Sequence, residues 1–163
     1  MSAAADVDVA DLLDVLRRAG QTVATAESIT GGGVCAALTD VAGSSDVVRG
    51  GLIVYAGELK TSLAGVPQEL LAERGTVDPD VTLALADGAR TRCGADWGIG
   101  LTGVAGPGAS GGIAAGTVYV AVAGPTSRET GSLVLPGDRG AVRAAAITAA
   151  LRLLGEHLTP IVR

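Results

Sequence analysis

The stretch Thr22-Val-Ala-Thr-Ala-Glu-Ser-Ile-Thr-Gly-Gly-Gly33 passes from small and β-branched residues into a polar, glycine-rich corner. Val23, Ala24 and Ala26 suit a buried strand, and Thr30 followed by Gly31 to Gly33 suits the entry to a helix. Ser28 therefore stands where a strand ends and a helix begins. Such a corner exposes a hydroxyl and turns backbone N–H groups toward one point, which fits either a nucleophile with an oxyanion site or a cradle for an anion. A serine hydroxyl is a weak attacker at neutral pH and needs a base. The single histidine, His157, lies near the end of the chain and reads as a partly exposed helix residue, a poor partner for a Ser-His-Asp set. Lysine is the alternative, because an amine that loses hydration becomes easier to deprotonate. Lys60 is the only lysine in the chain, and it lies five residues beyond Tyr55, one of two tyrosines. Composition alone also accommodates Lys60 as a solvated surface residue and Tyr55 as a core residue with its hydroxyl at a sheet edge.

The elements that must position these residues follow from periodicity. Val9, Leu12, Leu13 and Leu16 recur at helical spacing between Asp and Arg residues, and Gly20 ends that amphipathic helix. After the first strand, Val34 to Leu38 continue as a small-residue helix, and residues 40–46 form a turn-rich loop. Gly51 to Tyr55 reads as a strand, with Ala56-Gly57-Glu58 leading on to Lys60. Two helices follow, one from Pro67 to Arg74 and one from near Asp78-Pro79 toward Cys93. Trp97 to Thr102 is a strand that enters the glycine-rich loop from Gly103 to Gly112. Strands over 116–123 and 131–135 come next, and Asp138 onward forms a long closing helix. The pattern predicts one domain over residues 1–163, a three-layer α/β/α sandwich on a mixed sheet of about five strands. Ligands of such sheets settle beyond the strand ends, where the loops at 27–33 and 102–112 collect.

Composition narrows the function classes. The net charge of −5 leaves no surplus of cations to neutralise a nucleic-acid backbone. The amino-terminal residues carry no basic-then-apolar leader, and no apolar run is long enough to span a membrane, so a cytoplasmic protein is expected. One histidine and two widely spaced cysteines make a poor transition-metal set, and Cys35 and Cys93 read as small core residues. No phosphate-binding Gly-x4-Gly-Lys-Ser/Thr loop occurs, and the glycine clusters lack the strand-turn-helix order of a dinucleotide fold.

Four separated segments, Ala-Glu-Ser-Ile-Thr-Gly-Gly, Tyr-x4-Lys, Thr-Gly-Val-Ala-Gly-Pro and Gly-Thr-Val-Tyr-Val, together resemble the CinA C-terminal domain family over roughly residues 8–158. The family includes nicotinamide mononucleotide amidohydrolases of the PncC type, which release ammonia and nicotinate mononucleotide. The resemblance implies a stand-alone form, without the molybdopterin-binding-like domain of longer relatives. It also implies Ser28, Tyr55 and Lys60 as the catalytic group, no metal or redox cofactor, and a homodimer. In such an enzyme Ser28 attacks the carboxamide carbon while Lys60 accepts the proton, directly or through Tyr55. Backbone N–H groups near Thr30, Gly31 and Gly32 receive the oxyanion. The nucleotide phosphate falls to the loop of Thr102, Gly103 and Gly106, with Arg139 adding a charged fork. A tight turn for the loop and a helix-start surface residue for Arg139 remain the structural alternatives. Three positions depart from the family pattern: Ile29 stands where cysteine is common, Gly57 where asparagine is, and Gly108 where aspartate is. A non-catalytic or weakly active nucleotide-binding regulatory domain of the same fold is therefore the competing reading, and the substrate class in both is a small-molecule nucleotide.

Overall fold

The computed structural model describes residues 6–158, so most of the amino-terminal segment read above for a leader lies outside the described residues. Helix α1 (Val9–Ala19) starts where the Asp8 carboxylate accepts the Asp11 N–H and stops at Gly20, whose left-handed backbone closes the last turn. Its Leu12, Leu13 and Leu16 are buried. Strand β1 (Val23–Glu27) leads to α2 (Gly33–Thr39), a 3-10 turn at Ser44–Asp46 and β2 (Val48–Ile53). Next come α3 (Gly57–Ser62), α4 (Gln68–Arg74), α5 (Pro79–Cys93) and β3 (Trp97–Gly103). Strands β4 (Thr117–Ala123) and β5 (Arg128–Val134) precede α6 (Arg139–Leu158). Asp78 caps α5 by accepting the Asp80 and Val81 N–H groups, with Pro79 inside the first turn.

The five strands form one mixed sheet in the order β2-β1-β3-β4-β5. β1 runs parallel to β2 and β3, whereas β3-β4 and β4-β5 are antiparallel. Alternation along β1 and β3 divides the core. Val23, Ile99 and Leu101 join Leu13, Leu16, Val34 and Leu154 beneath α1, α2 and α6. Ala24, Ala26 and Val54 pack on Val81, Leu85 and Ala89 of α5. A core without phenylalanine is filled on this second face by close approach of backbone to backbone. A Cβ on Gly98 would strike the Ala86 carbonyl, and one on Gly100 would strike the Thr82 carbonyl, so α5 lies directly on β3. Gly88 does the same for the Ala64 carbonyl, which seats the segment after α3 against α5.

Three boundaries differ from the periodicity. β2 begins at Val48 and ends at Ile53, because β1 offers parallel partners from Val23 to Glu27 and no further. Tyr55 thus lies beyond the strand and is 63% exposed, which removes it from the core. Lys60 sits on α3, a six-residue helix without a side-chain cap that sequence spacing does not announce. β5 starts at Arg128, and its polar first residues fit an edge strand with one side in water. Among the described residues no helix is long and apolar enough to cross a membrane.

The glycine contact between sheet and helix gives a direct expectation. Gly100→Ala forces α5 off β3 and costs about 1–3 kcal/mol, read as a lower urea midpoint with an unchanged slope.

Candidate active site

The parallel strands bring three loops to one edge of the sheet. Ser28 follows β1, Tyr55 follows β2, and Thr102-Gly103 close β3, all at carboxyl ends. β5 also ends at this edge, so the helix α6 that follows it starts there with Arg139. Such an edge is where open α/β sheets collect ligands. A cavity of about 390 Å³ occupies it, lined by Ser28, Ile29, Tyr55, Gly57 and Lys60 on one side. Thr102, the loop from Gly103 to Ser110 and Arg139 line the other.

Ser28 is 8% exposed, and its N–H donates to Leu101 O at 3.1 Å, extending the β1-β3 pairing by one residue. The chain then reverses in a turn closed by the Gly31 N–H on Ser28 O at 3.1 Å. Gly31 and Gly32 both take positive φ, a conformation that favours glycine at each position. Beneath this turn lies Glu27, fully buried. Its carboxylate accepts the Thr25 and Thr30 hydroxyls and the Val34 and Cys35 N–H groups at 2.7–2.9 Å, so one buried charge ties strand, turn and helix entry together. Gly51 on β2 leaves the space that Thr25 and Cys35 fill.

Lys60 is 1% exposed, and its Nζ meets three oxygens. It lies 3.1 Å from Ser28 Oγ, 2.8 Å from Val54 O and 3.5 Å from Tyr55 O. Removal from water lowers its pKa. In the neutral amine the two N–H bonds face the two carbonyls, which leaves the lone pair for the serine proton. Ser28 and Lys60 thus form a hydroxyl-amine pair of the kind that nucleophilic catalysis requires.

The structure turns the Tyr55 phenol away from that pair. Its phenol oxygen accepts from Arg139 Nη2 at 3.2 Å, and among the described residues no hydrogen bond joins it to Ser28 or Lys60. Arg139 Nη1 also donates to Gly106 O at 2.9 Å, so this exposed guanidinium spans the cavity from the β2 end to the glycine loop. Thr102 is buried and spends its hydroxyl hydrogen on Thr76 O, leaving its lone pairs to the cavity. Gly103 and Gly106 line the wall, but Thr30, Gly31 and Gly32 do not. The Thr30 hydroxyl is taken by Glu27 and the Gly31 N–H by Ser28 O, which commits those two groups, though not the Thr30 N–H, to the turn. Among the described residues the lining holds two basic side chains, Lys60 and Arg139, and no carboxylate, in a chain of net charge −5. The cavity therefore favours an anion.

His157 stands at the other end of the sheet, between Ser127 Oγ and Glu129 Oε2 and beside Trp97. Cys35 and Cys93 are free and half-buried, and burial pushes both thiols up. Among the described residues no group of three His, Cys, Asp or Glu side chains could hold a metal ion. Two side chains of the site went unmarked in the sequence reading. Glu27 carries a signal there, a lone acid at the end of an otherwise small and neutral strand. Arg143 follows Arg139 at i+4 and donates to the Ile29 and Thr30 carbonyls.

The family model for the CinA C-terminal domain matches residues 7–158. The chain belongs to that family. A CinA-like protein of Frankia casuarinae is 44% identical over 147 residues, covering 90% of this chain and 34% of the relative. One from a Synechococcus strain is 52% identical over 115 residues, covering 70% and 28%. The chain thus spans about a third of the length of the curated relatives it matches. Among solved structures, a CinA superfamily protein from Escherichia coli superposes with a TM-score of 0.89 at 28% identity, covering 96% of this chain and 94% of that one. A Klebsiella pneumoniae member gives 0.85 at 33% identity, covering 93% and 98%. The sandwich on a mixed sheet is therefore the fold of CinA structures.

The burial of Lys60 in this CinA domain sets a pH dependence of stability. Between its lowered folded pKa and its ordinary value of 10.5, the unfolded chain binds more protons, so this residue's contribution to stability rises with pH across that window. Lys60→Met removes the increment, visible as a flatter dependence of the urea midpoint on alkaline pH.

Proposed function

We propose that this CinA domain is a serine amidohydrolase that deamidates nicotinamide mononucleotide. The observation that carries the reading is the 3.1 Å contact between a buried amine and the Ser28 hydroxyl, at the wall of a cavity that among the described residues is lined by Arg139 and by no carboxylate. Ser28 Oγ attacks the carboxamide carbon, made electron-poor by the pyridinium ring, and its proton passes to Lys60 Nζ. As the tetrahedral adduct collapses, the C–N bond breaks and Lys60 returns the proton to nitrogen, so ammonia leaves. Water then attacks the acyl-enzyme, giving up one proton to Lys60; the adduct collapses to the carboxylic acid as Lys60 returns that proton to Ser28 Oγ, and the acid loses its own proton to solvent to become the carboxylate. The direct contact supports transfer without a tyrosine relay. Tyr55 and Arg139, paired at the cavity wall, suit the nucleotide instead, with the guanidinium turned to the phosphate and the exposed ring to the sugar or base.

Incubation of the pure protein with nicotinamide mononucleotide is expected to release ammonia and nicotinate mononucleotide in equal amounts. Ser28→Ala abolishes that release while leaving the circular dichroism spectrum unchanged; full activity in the variant removes Ser28 from the chemistry. Saturable binding without product supports instead the non-catalytic nucleotide-binding domain.

Arg139→Ala is expected to raise KM for the nucleotide about tenfold more than for its dephosphorylated nucleoside, the loss of one charge-assisted contact. Equal effects on both substrates remove Arg139 from phosphate recognition.

A further inference from the structure

We infer that the Ile29 and Thr30 N–H groups are the oxyanion donors beside Ser28, and that Arg143 on α6 is the positioning residue that aims them. The inference rests on the acyl-transfer reading above and names the part of the site that would carry developing negative charge. A trans peptide is planar, with its N–H antiparallel to its C=O, so holding one carbonyl fixes the N–H of the following residue. Arg143 Nε donates to Ile29 O at 3.1 Å and thereby sets the Thr30 N–H. Its Nη2 donates to Thr30 O at 3.2 Å, which sets the Gly31 N–H. That N–H is the one held on Ser28 O, and this bond in turn sets the Ile29 N–H. One guanidinium thus governs the successive peptide planes that follow the nucleophile.

Among the described residues, the Ile29, Thr30 and Gly32 N–H groups have no protein acceptor, whereas the Ser28, Gly31 and Gly33 N–H groups all do, and of the three only Ile29 and Thr30 directly follow Ser28. Ile29 shares the cavity wall with Ser28. Ile29 and Thr30 thus offer two free donors consecutive with Ser28 in the chain; the peptide of the Thr30 N–H is tied to α6 by Arg143, and that of the Ile29 N–H is tied to the turn by the Gly31 N–H. The anchor is rigid: Val142 and Ala146, either side of Arg143, are buried in the core, and a Cβ on Gly33 would run into Ile147, so the corner is pressed against α6. Arginine suits the task because its planar fork holds two carbonyls at once and keeps its charge at any working pH, neither of which a lysine provides. Donors fixed before the reaction need no reorganisation as charge develops.

Labelling by a fluorophosphonate tests the donors without a nicotinamide substrate. Ser28 Oγ bonds to phosphorus, fluoride leaves, the serine proton passes to Lys60, and the phosphoryl oxygen occupies the oxyanion position. Arg143→Ala is expected to slow labelling, and kcat for nicotinamide mononucleotide, about a hundredfold, with KM within about threefold. A purely structural role for Arg143 would lower Tm and the labelled fraction but leave the rate per folded molecule at the parent value, and that result overturns the inference. If Arg143→Ala does not fold, Arg143→Lys carries the comparison: labelling about tenfold or more below the parent supports the assignment, and parent-rate labelling overturns it. Labelling of Ser28 in the parent chain without ammonia release overturns the nicotinamide reading alone. Absence of Ser28 labelling in the parent overturns both.

Discussion

The site depends on keeping a lysine amine out of water. An amine with 1% exposure is costly unless its hydrogens find partners, and here the Val54 and Tyr55 carbonyls supply them. Those carbonyls are available because β2 stops at Ile53, just before them. The Val54 N–H still reaches back to Glu27 O at 2.8 Å, so the residue that holds Lys60 is itself held by the end of β1. Serine and lysine are thus referenced to the same strand terminus. The burial that lowers the amine pKa thus accompanies its 3.1 Å contact with the Ser28 hydroxyl.

Charge is distributed around the corner with a clear division of labour. Glu27 sits below the turn and satisfies its carboxylate with hydroxyls and helix-entry N–H groups. Arg143 sits against the turn from α6 and takes its carbonyls. Neither lines the cavity, where Lys60 and Arg139 face no carboxylate. A chain with more acids than bases thus lines this pocket with two bases and, among the described residues, no carboxylate, because its one nearby buried acid is engaged elsewhere.

The glycines and the missing phenylalanines belong to the same solution. With Gly98 and Gly100 under α5 and Gly88 under the Ala64 carbonyl, helices approach the sheet and each other through backbone. That tight layer holds the segment after α3 in place, and the Val66 N–H on Lys60 O ties it to the lysine. A short helix without a cap is stable here through tertiary contacts rather than propensity.

Much was legible along the chain. Hydrophobic period and turn residues determined the order of strands and helices, the layered class and the glycine-rich corner at Ser28, since these are properties of neighbouring residues. The singular Lys60 stood out by composition as a candidate base for Ser28. Tertiary structure alone decided that the Lys60 amine turns to Ser28 while the Tyr55 phenol turns to Arg139, because α3 and the end of β2 orient the two side chains differently. It also decided that the Thr30 hydroxyl and the Gly31 N–H serve the turn, and that Arg143, distant in sequence, completes the corner. Hydrogen-bond partners across the sheet edge are set by which loops the parallel strands bring together, and no local pattern encodes that meeting.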